Sequence, residues 1–472
     1  MKKLIPLLLI LITTITFAST QATKSVVKIH SSVSLPNYKQ PWQSSNRIQI
    51  SGSGVLIKDN YIITNAHVIS DAKFVQVSKE NDSKRYTASI EYVSHQADLA
   101  LLKVKDETFY EDIAPLKLIE DVNTGDNITV LGYPLGGNNL STTKGTVSRI
   151  EQHSYVWSYE YMLSIQVDAA INSGNSGGPA IDDKNNIVGI VMQSYSKKVS
   201  DNIGYIIPSI IVKTFLEDIK DGKVDGFDNS NTYIGKLINP SLKDYYNVTT
   251  NQGVLVTKIE KNEDALKLGD IILEVEGNKI LNNGKVKTKY GLQAMKYFEH
   301  LKPVGQTIDL KIRRDNKIVD IKYTLKRKNL IINKEYFKNP RYLIFGGLVF
   351  APFTENYLRA RNSAPLLFEN FYKLKEKAKH ATEGVIVQVE KFDHSVNEGY
   401  YPFIYLIHSV NEVKVKDFKH FVKLIDESNG KYTVIDFIDL DYTKYVFDTK
   451  KAKESFQEIK NIYGLSTDRR VK

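Results

Sequence analysis

The stretch INSGNSGGPA at 171–180 places a serine, Ser176, among glycines and short polar residues. Such a composition describes a tight turn, because glycine accepts positive φ and Ser/Asn side chains bond their own backbone. A serine hydroxyl becomes a nucleophile only when a base takes its proton and a third group holds that base. Nine histidines are available, and five of them lie beyond residue 290, outside the segment that carries Ser176. Of the other four, His30 ends an N-terminal strand, His95 sits in the polar turn before DLALLKV, and His153 lies in a loop dense with aromatics. His67 closes YIITNAHV, where an apolar strand breaks into a polar turn, so a base there is rigidly backed yet open to a cleft. Asp98 is the acid that opens the apolar run DLALLKV. A carboxylate in that position either caps a turn or meets a cation inside. Asp168 in QVDAAIN is too near Ser176 in sequence to reach around a base, and reads as a structural carboxylate fixing the loop.

Gly174-Asn175-Ser176-Gly177-Gly178 also satisfies G-x-S-x-G, a pattern that demands strand–turn–helix with an acid and then a histidine downstream. The next segment, PAIDDKNNIVGIVMQS, reads as two strands and a turn, so the elbow reading fails. The order His67, Asp98, Ser176 within one β-rich segment is instead that of the chymotrypsin class.

The elements that must position these residues are short β-branched runs between turns: SGVLI, KFVQVS, ALLKV, NITVLGY, GTVSRIE, LSIQVDAAI, NIVGIVMQS and IGYIIP. Close-set strands with little helical periodicity predict an antiparallel barrel or sandwich. A helix is expected at PSIIVKTFLEDIKDG, and DGKVDGFDNSN reads as a linker. From 231 the order is strand (GVLVTKIE), strand–turn–strand (LGDIILEVEGNKI), an amphipathic helix (YGLQAMKYFEHL) and a hairpin. In a third unit, GVIVQVEK echoes GVLVTKIE 131 residues later, as after a diverged duplication.

These blocks carry a family resemblance. TNAHV, DLALLKV and NSGNSGGP are similar to the signature blocks of HtrA/DegP-type serine endopeptidases. GYPLGG, VSRIE, IQVDAAIN, NIGYIIP and the later GLVF resemble the Deg proteases of plants and their bacterial relatives. The resemblance implies a mostly β chain: a chymotrypsin-like double β-barrel over 24–222, a PDZ domain over 231–330, and a degenerate second PDZ-like domain with a C-terminal extension over 341–472. It implies His67 as base, Asp98 as its orienter, Ser176 as nucleophile, and the N–H groups of Gly174 and Ser176 as oxyanion hole. Ile171 with Ile203, Gly204 and Tyr205 matches the primary specificity pocket, which is apolar and points to cleavage after medium aliphatic residues. Tyr233, Ile234, Gly235 and Lys236 match the loop that holds a peptide carboxylate. The implied activity is ATP-independent degradation of unfolded exported proteins, with no cofactor or metal, by a homotrimer or a multiple of trimers. A chaperone-like or peptide-binding scaffold is the alternative. LPNYKQPWQ, at 35–43, is a candidate trimer contact.

Composition is compatible with this. The 472 residues are 42% hydrophobic and 25% charged, enough apolar content for several packed cores. No cysteine is present, which excludes a thiol nucleophile and a disulfide scaffold. The net charge of +10 comes from basic residues interspersed with acids, a pattern of solvated surface and not of a nucleic-acid partner. MKK, the apolar run Leu4–Phe17 and FASTQA read as a cleaved export signal over 1–22, ending after Ala18 or Ala22. The run is 14 residues long, short of the ~20 that span a bilayer. A periplasmic or secreted location is therefore expected.

Overall fold

The computed structural model describes residues 22–134, 137, 139–194, 203–228, 232–259, 265–327, 332–361, 384–401, 405–438 and 443–472. The export-signal segment upstream of Ala22 lies outside them.

The first six strands are β1 (Val26–Pro36), β2 (Ser44–Ile57), β3 (Tyr61–Thr64), β4 (Ala72–Ser78), β5 (Tyr86–Ser94) and β6 (Leu99–Val104). They close into a barrel in the order β1-β2-β3-β6-β5-β4. Six more close a second barrel in the order β10-β11-β12-β9-β8-β7. These are β7 (Asn127–Gly132), β8 (Ser141–Ser154), β9 (Tyr161–Val167), β10 (Pro179–Ile181), β11 (Ile187–Ser194) and β12 (Gly204–Pro208). Closure leaves no free edge, so the β-branched runs pair on both sides and fill the interior. Ile62, Ile63, Leu101, Leu102, Ile165, Ile190 and Ile206 are fully buried. The fold is thus mostly β with a double barrel, as the strand spacing predicts. The helix Ser209–Asp218 follows β12 as expected. The expected linker is partly anchored: Phe227 is buried, and the Gln96 side chain bonds both its N–H (3.0 Å) and its C=O (3.1 Å).

An antiparallel sheet comes next, in the order β13-β14-β15-β19-β20, with β16 paired to β15. Its strands are β13 (Tyr233–Lys236), β14 (Val254–Lys258), β15 (Ile271–Val275), β16 (Asn278–Lys279), β19 (Thr307–Arg314) and β20 (Lys317–Thr324). A separate hairpin joins β17 (Lys285–Thr288) to β18 (Gly291–Ala294). Here the sequence expectation of a helix over YGLQAMKYFEHL is corrected, since only Lys296–Glu299 is helical. Gly291 sits at φ +83 and turns the chain into β18, and Gln293 is buried with its amide donating to the Ile150 carbonyl (2.9 Å). A fixed tertiary partner outweighs local helical propensity.

The chain divides into two compact units, the second made of residues 33–48 and 329–472. Its sheet runs β27-β26-β24-β23-β22-β21-β28, with β25 paired to β24. The strands are β21 (Tyr342–Phe345), β22 (Leu348–Pro352), β23 (Ile386–Lys391), β24 (Leu406–Val410), β25 (Val413–Lys414), β26 (Tyr432–Phe437), β27 (Lys444–Asp448) and β28 (Arg469–Arg470). The GVLVTKIE and GVIVQVEK echoes become β14 and β23. Tyr38 and Trp42 of the LPNYKQPWQ segment pack on this unit's core, with Trp42 edge-on to Phe392 at 4.8 Å. Among the described residues, no helix is long and apolar enough to cross a membrane.

Candidate active site

The first barrel supplies a histidine and a carboxylate. The buried strand β3 ends at Asn65, and a one-turn helix, Ala66–Ile69, follows. Ala66, Val68 and Ile69 are buried, which anchors the turn and leaves the His67 side chain 30% exposed. Asp98 lies between β5 and β6 at φ +53, in the left-handed region that aspartate tolerates better than most residues. Its side chain is 1% exposed. Oδ1 accepts the His67 backbone N–H at 2.9 Å and Oδ2 meets His67 Nδ1 at 2.7 Å. The Asn65 amide donates to the Asp98 carbonyl at 2.9 Å and fixes the turn from behind. A proton held on Nδ1 leaves Nε2 as the basic nitrogen. Burial alone would lower the imidazole pKa, but the Asp98 charge and hydrogen bond outweigh it and hold the group above 6.5.

The second barrel supplies the serine loop between β9 and β10. Asn175 N–H bonds Asn172 O (3.0 Å), Gly178 N–H bonds Asn175 O (2.9 Å), and Gly177 N–H bonds Val191 O (2.9 Å). Gly174 and Gly177 stand at φ +102 and +84. A Cβ at Gly177 would collide with Ser53 O and Thr64 Oγ1, so only glycine fits. Among the described residues, the N–H groups of Gly174 and Ser176 donate to no protein acceptor. The Ser176 hydroxyl donates to the Met192 carbonyl at 3.1 Å and not to His67.

Ser53, from β2, joins the two barrels. Its N–H bonds Ser176 O (2.9 Å), and its hydroxyl donates to Gly174 O (2.7 Å) while accepting the Tyr133 N–H (2.8 Å). Thr64 Oγ1 bonds the Ser53 carbonyl in turn (2.7 Å). Sequence reasoning quoted GSGVLI but gave Ser53 no role, and no local signal could: its partner Gly174 is 121 residues away. Met192 and Trp157 were missed for the same reason. Trp157, in the turn between β8 and β9, lies 6.3 Å from the His67 ring and donates to His95 Nδ1 at 3.3 Å.

The rival residues are occupied elsewhere. His30 meets Ser78 Oγ at 3.1 Å, its pKa lowered to about 4 by burial and then by Arg85 and Lys28. Asp168 accepts from Thr146 N–H (2.5 Å) and Oγ1 (3.0 Å), which hold its pKa below the ordinary value. Ile171 packs directly on Gly204, and Ile203 is half-buried beside the same core. Tyr205 is not brought to them: alternation turns it to the opposite face of β12, where it stacks on His153 at 4.3 Å. Tyr233–Lys236 is a further correction. These residues form an edge strand and not a loop, paired from Tyr233↔Lys258 to Lys236↔Val254 because the Tyr-Ile run finds β14 as partner. Among the described residues, no cluster of three His, Cys, Asp or Glu could hold a metal.

Comparison with known proteins identifies the family. The model of the trypsin-like peptidase domain matches residues 52–190, and the model of the PDZ domain matches 331–470, where the sequence resemblance is weakest. "Protease Do-like 2, chloroplastic" of Arabidopsis thaliana is 33% identical over 94% of this chain and 74% of its own length. "Putative protease Do-like 3, mitochondrial" of the same plant is 35% identical over 93% and 78%. A "Probable periplasmic serine endoprotease DegP-like" of Marinomonas is 30% identical over 61% of the chain and 59% of its own. Among solved structures, the HtrA-type protease AlgW with tripeptide aligns over 66% of this chain and 98% of its own, at TM-score 0.51 and 22% identity, which speaks to fold. Two barrels, a PDZ domain and Do-like relatives along nearly the whole length place the chain in the Deg/HtrA family of serine endopeptidases.

Proposed function

We propose that the chain hydrolyses peptide bonds of unfolded polypeptides through Ser176, His67 and Asp98. Ser176 Oγ attacks the scissile carbonyl carbon as its proton passes to His67 Nε2. The carbonyl oxygen gains the displaced electron pair and is met by the N–H groups of Gly174 and Ser176. Collapse breaks the C–N bond, and the amine leaves with the proton from His67. Water then releases the acyl group by the reverse sequence. The observation that carries this reading is the buried Asp98 carboxylate, which accepts the His67 backbone N–H through one oxygen and meets His67 Nδ1 through the other.

The apolar Ile171–Gly204 contact supports cleavage after aliphatic residues. The outer edge of β13 supports capture of an extended peptide or its C-terminus, with Ile234 lining a neighbouring apolar cavity of about 190 Å³. ATP independence and assembly as a homotrimer belong to the same reading. Export belongs to it as well, although the plant relatives carry organellar names and the Marinomonas relative a periplasmic one. Ala22 is 1% exposed within the first core, which favours cleavage after Ala18. Intact-mass measurement of exported protein should give a chain beginning at Ser19; a chain beginning at Thr23 contradicts it.

Ser176→Ala should abolish casein degradation, a loss on the order of 10⁶-fold. Equal activity of variant and parent would end the assignment. A second reading, a resting or chaperone-like state, is favoured by the Ser176–Met192 hydrogen bond. Labelling of Ser176 by a fluorophosphonate with and without added peptide separates the two: a scaffold is labelled in neither case.

A further inference from the structure

We propose that the outer edge of β20 pairs antiparallel with β20 of a second copy of this chain, about a twofold axis through Ile321. The contact uses none of the catalytic residues, and its test does not depend on proteolysis.

Among the described residues, β20 ends its sheet, and no backbone group of 317–324 bonds outside the β19–β20 ladder. It is the kind of edge that natural sheets avoid leaving open. The strand runs eight residues in unbroken register with β19, from Thr307↔Thr324 to Arg314↔Lys317, with no proline or glycine in it. β13, at the opposite edge, has four residues and an irregular register. All of β20 except Ile321 and Tyr323 is exposed, Ile318 by 59% and Val319 by 36%. Asp315 and Asn316 stand at φ +49 and +60, as a two-residue turn that locks a hairpin requires. Arg314 anchors the end of that hairpin on the buried Asp270 carboxylate at 2.6 and 2.8 Å. A rigid, uncovered edge loses little freedom when another strand is added to it.

Charge selects the partner. On the solvent face of the sheet, directly opposite residues carry alternating signs. Glu274 faces Lys311, with 2.9 Å between carboxylate and ammonium, and Lys311 faces Asp320. In the neighbouring row Asp309 faces Lys322. The two rows stop at the free edge, one on Asp320 and the other on Lys322. A lysine on an edge ordinarily keeps strands away, but an acid and a base two residues apart favour one particular strand. An axis at Asp320 would set that residue against itself, and an axis at Lys322 would do the same to Lys322. Like charges directly opposite are unfavourable. An axis at Ile321 instead sets Asp320 against Lys322 of the second copy, and Lys322 against its Asp320. A row then reads Glu274, Lys311, Asp320, Lys322, Asp309 across the junction, alternating in sign throughout. On the other face Ile321 meets Ile321 and Val319 meets Tyr323, a match of β-branched and aromatic residues. Such a contact is isologous and closes on two copies.

The test uses the full chain carrying Ser176→Ala, which prevents self-digestion, in sedimentation velocity over micromolar concentrations. Asp320→Lys and Lys322→Asp each place like charges opposite one another twice at the junction. Each should weaken association by about tenfold or more and bring the assembly to half the parental mass or less, whatever contact holds its other copies. An equimolar mixture of the two variants restores opposite charges at both positions, so the mixture should regain the parental mass. Raised salt should weaken the parental assembly as well. A second readout leaves the charges alone. The chain has no cysteine, so Ile321→Cys introduces a single thiol. Directly opposite residues of a strand pair lie within disulfide reach. Mild oxidation should therefore cross-link Ile321→Cys about tenfold faster than Ile318→Cys, whose register partner is Thr324. Parental mass in either charge variant overturns the proposal, as does equal cross-linking of the two cysteine variants. A mixture that stays at the reduced mass, while both variants keep the parental circular dichroism, overturns it too. Capture of a substrate strand by β20, in place of a second copy, would leave the mass insensitive to either charge reversal and counts against it in the same way.

Discussion

Asp98 is buried where a lone carboxylate would be costly, and its two oxygens are spent on one residue, His67. The consequence is an imidazole whose pKa is raised above the usual 6.5. In the proposed mechanism His67 must be unprotonated to accept the Ser176 proton, so kcat/KM should fall as pH drops through that raised pKa. Asp98→Asn removes the charge and lets the ring take the wrong tautomer. It should cost about 10⁴-fold in kcat and move the acidic limb to lower pH. A pH–rate profile of variant and parent checks both; an unmoved limb would mean that another group titrates. At this scale the pairing of His67 with Asp98 was readable: each is a polar residue at the end of a buried strand, and that anomaly is local. Ser53 and Trp157 are not anomalous in sequence: a small residue in GSG and an aromatic in a turn acquire meaning only from partners more than sixty residues away.

Among elements, the 171–178 turn shows how strictly a loop of small residues can be specified. Gly177 needs positive φ and leaves no space for a methyl group between Ser53 O and Thr64 Oγ1. Gly177→Ala should therefore displace the loop, cost roughly 2–4 kcal/mol of stability, and abolish fluorophosphonate labelling. Near-parental labelling together with an unchanged urea midpoint would refute this. The strands were legible because alternation and β-branching are properties of neighbouring residues. YGLQAMKYFEHL was not, since its helical spacing competes with the β17–β18 pairing and the buried Gln293 amide, neither of which is visible in twelve residues. Tyr233–Lys236 failed likewise: whether a Tyr-Ile run is a loop or an edge strand depends on β14, which comes 18 residues later.

For the whole molecule, the segment read as a candidate trimer contact packs within its own chain. Trp42 packs on Phe392, and Arg470 donates to the Pro41 carbonyl at 3.0 Å. Trp42→Ala should lower the stability of the second unit by about 2–4 kcal/mol while leaving Ser176 labelling unchanged. Thermal unfolding followed by calorimetry reads the first effect. Were that unit unaffected and the oligomer lost, the segment would be a subunit contact after all. The double barrel was foreseeable from strand spacing, but membership of 33–48 in the second unit was not, because nothing in sixteen residues announces a partner three hundred positions downstream.

That split membership bears on how the protein is made. Residues 33–48 precede the remainder of their unit, 329–472, by a long stretch of chain in synthesis. Tyr38 and Trp42 must wait uncovered while some 280 intervening residues are translated, a closure of high contact order and a slow one. A chain truncated near 328 would keep its two barrels and carry that orphaned apolar strip, so the C-terminal unit is not a module that can be removed cleanly. Expression of such a truncation should need residues 33–48 trimmed or made polar to stay soluble.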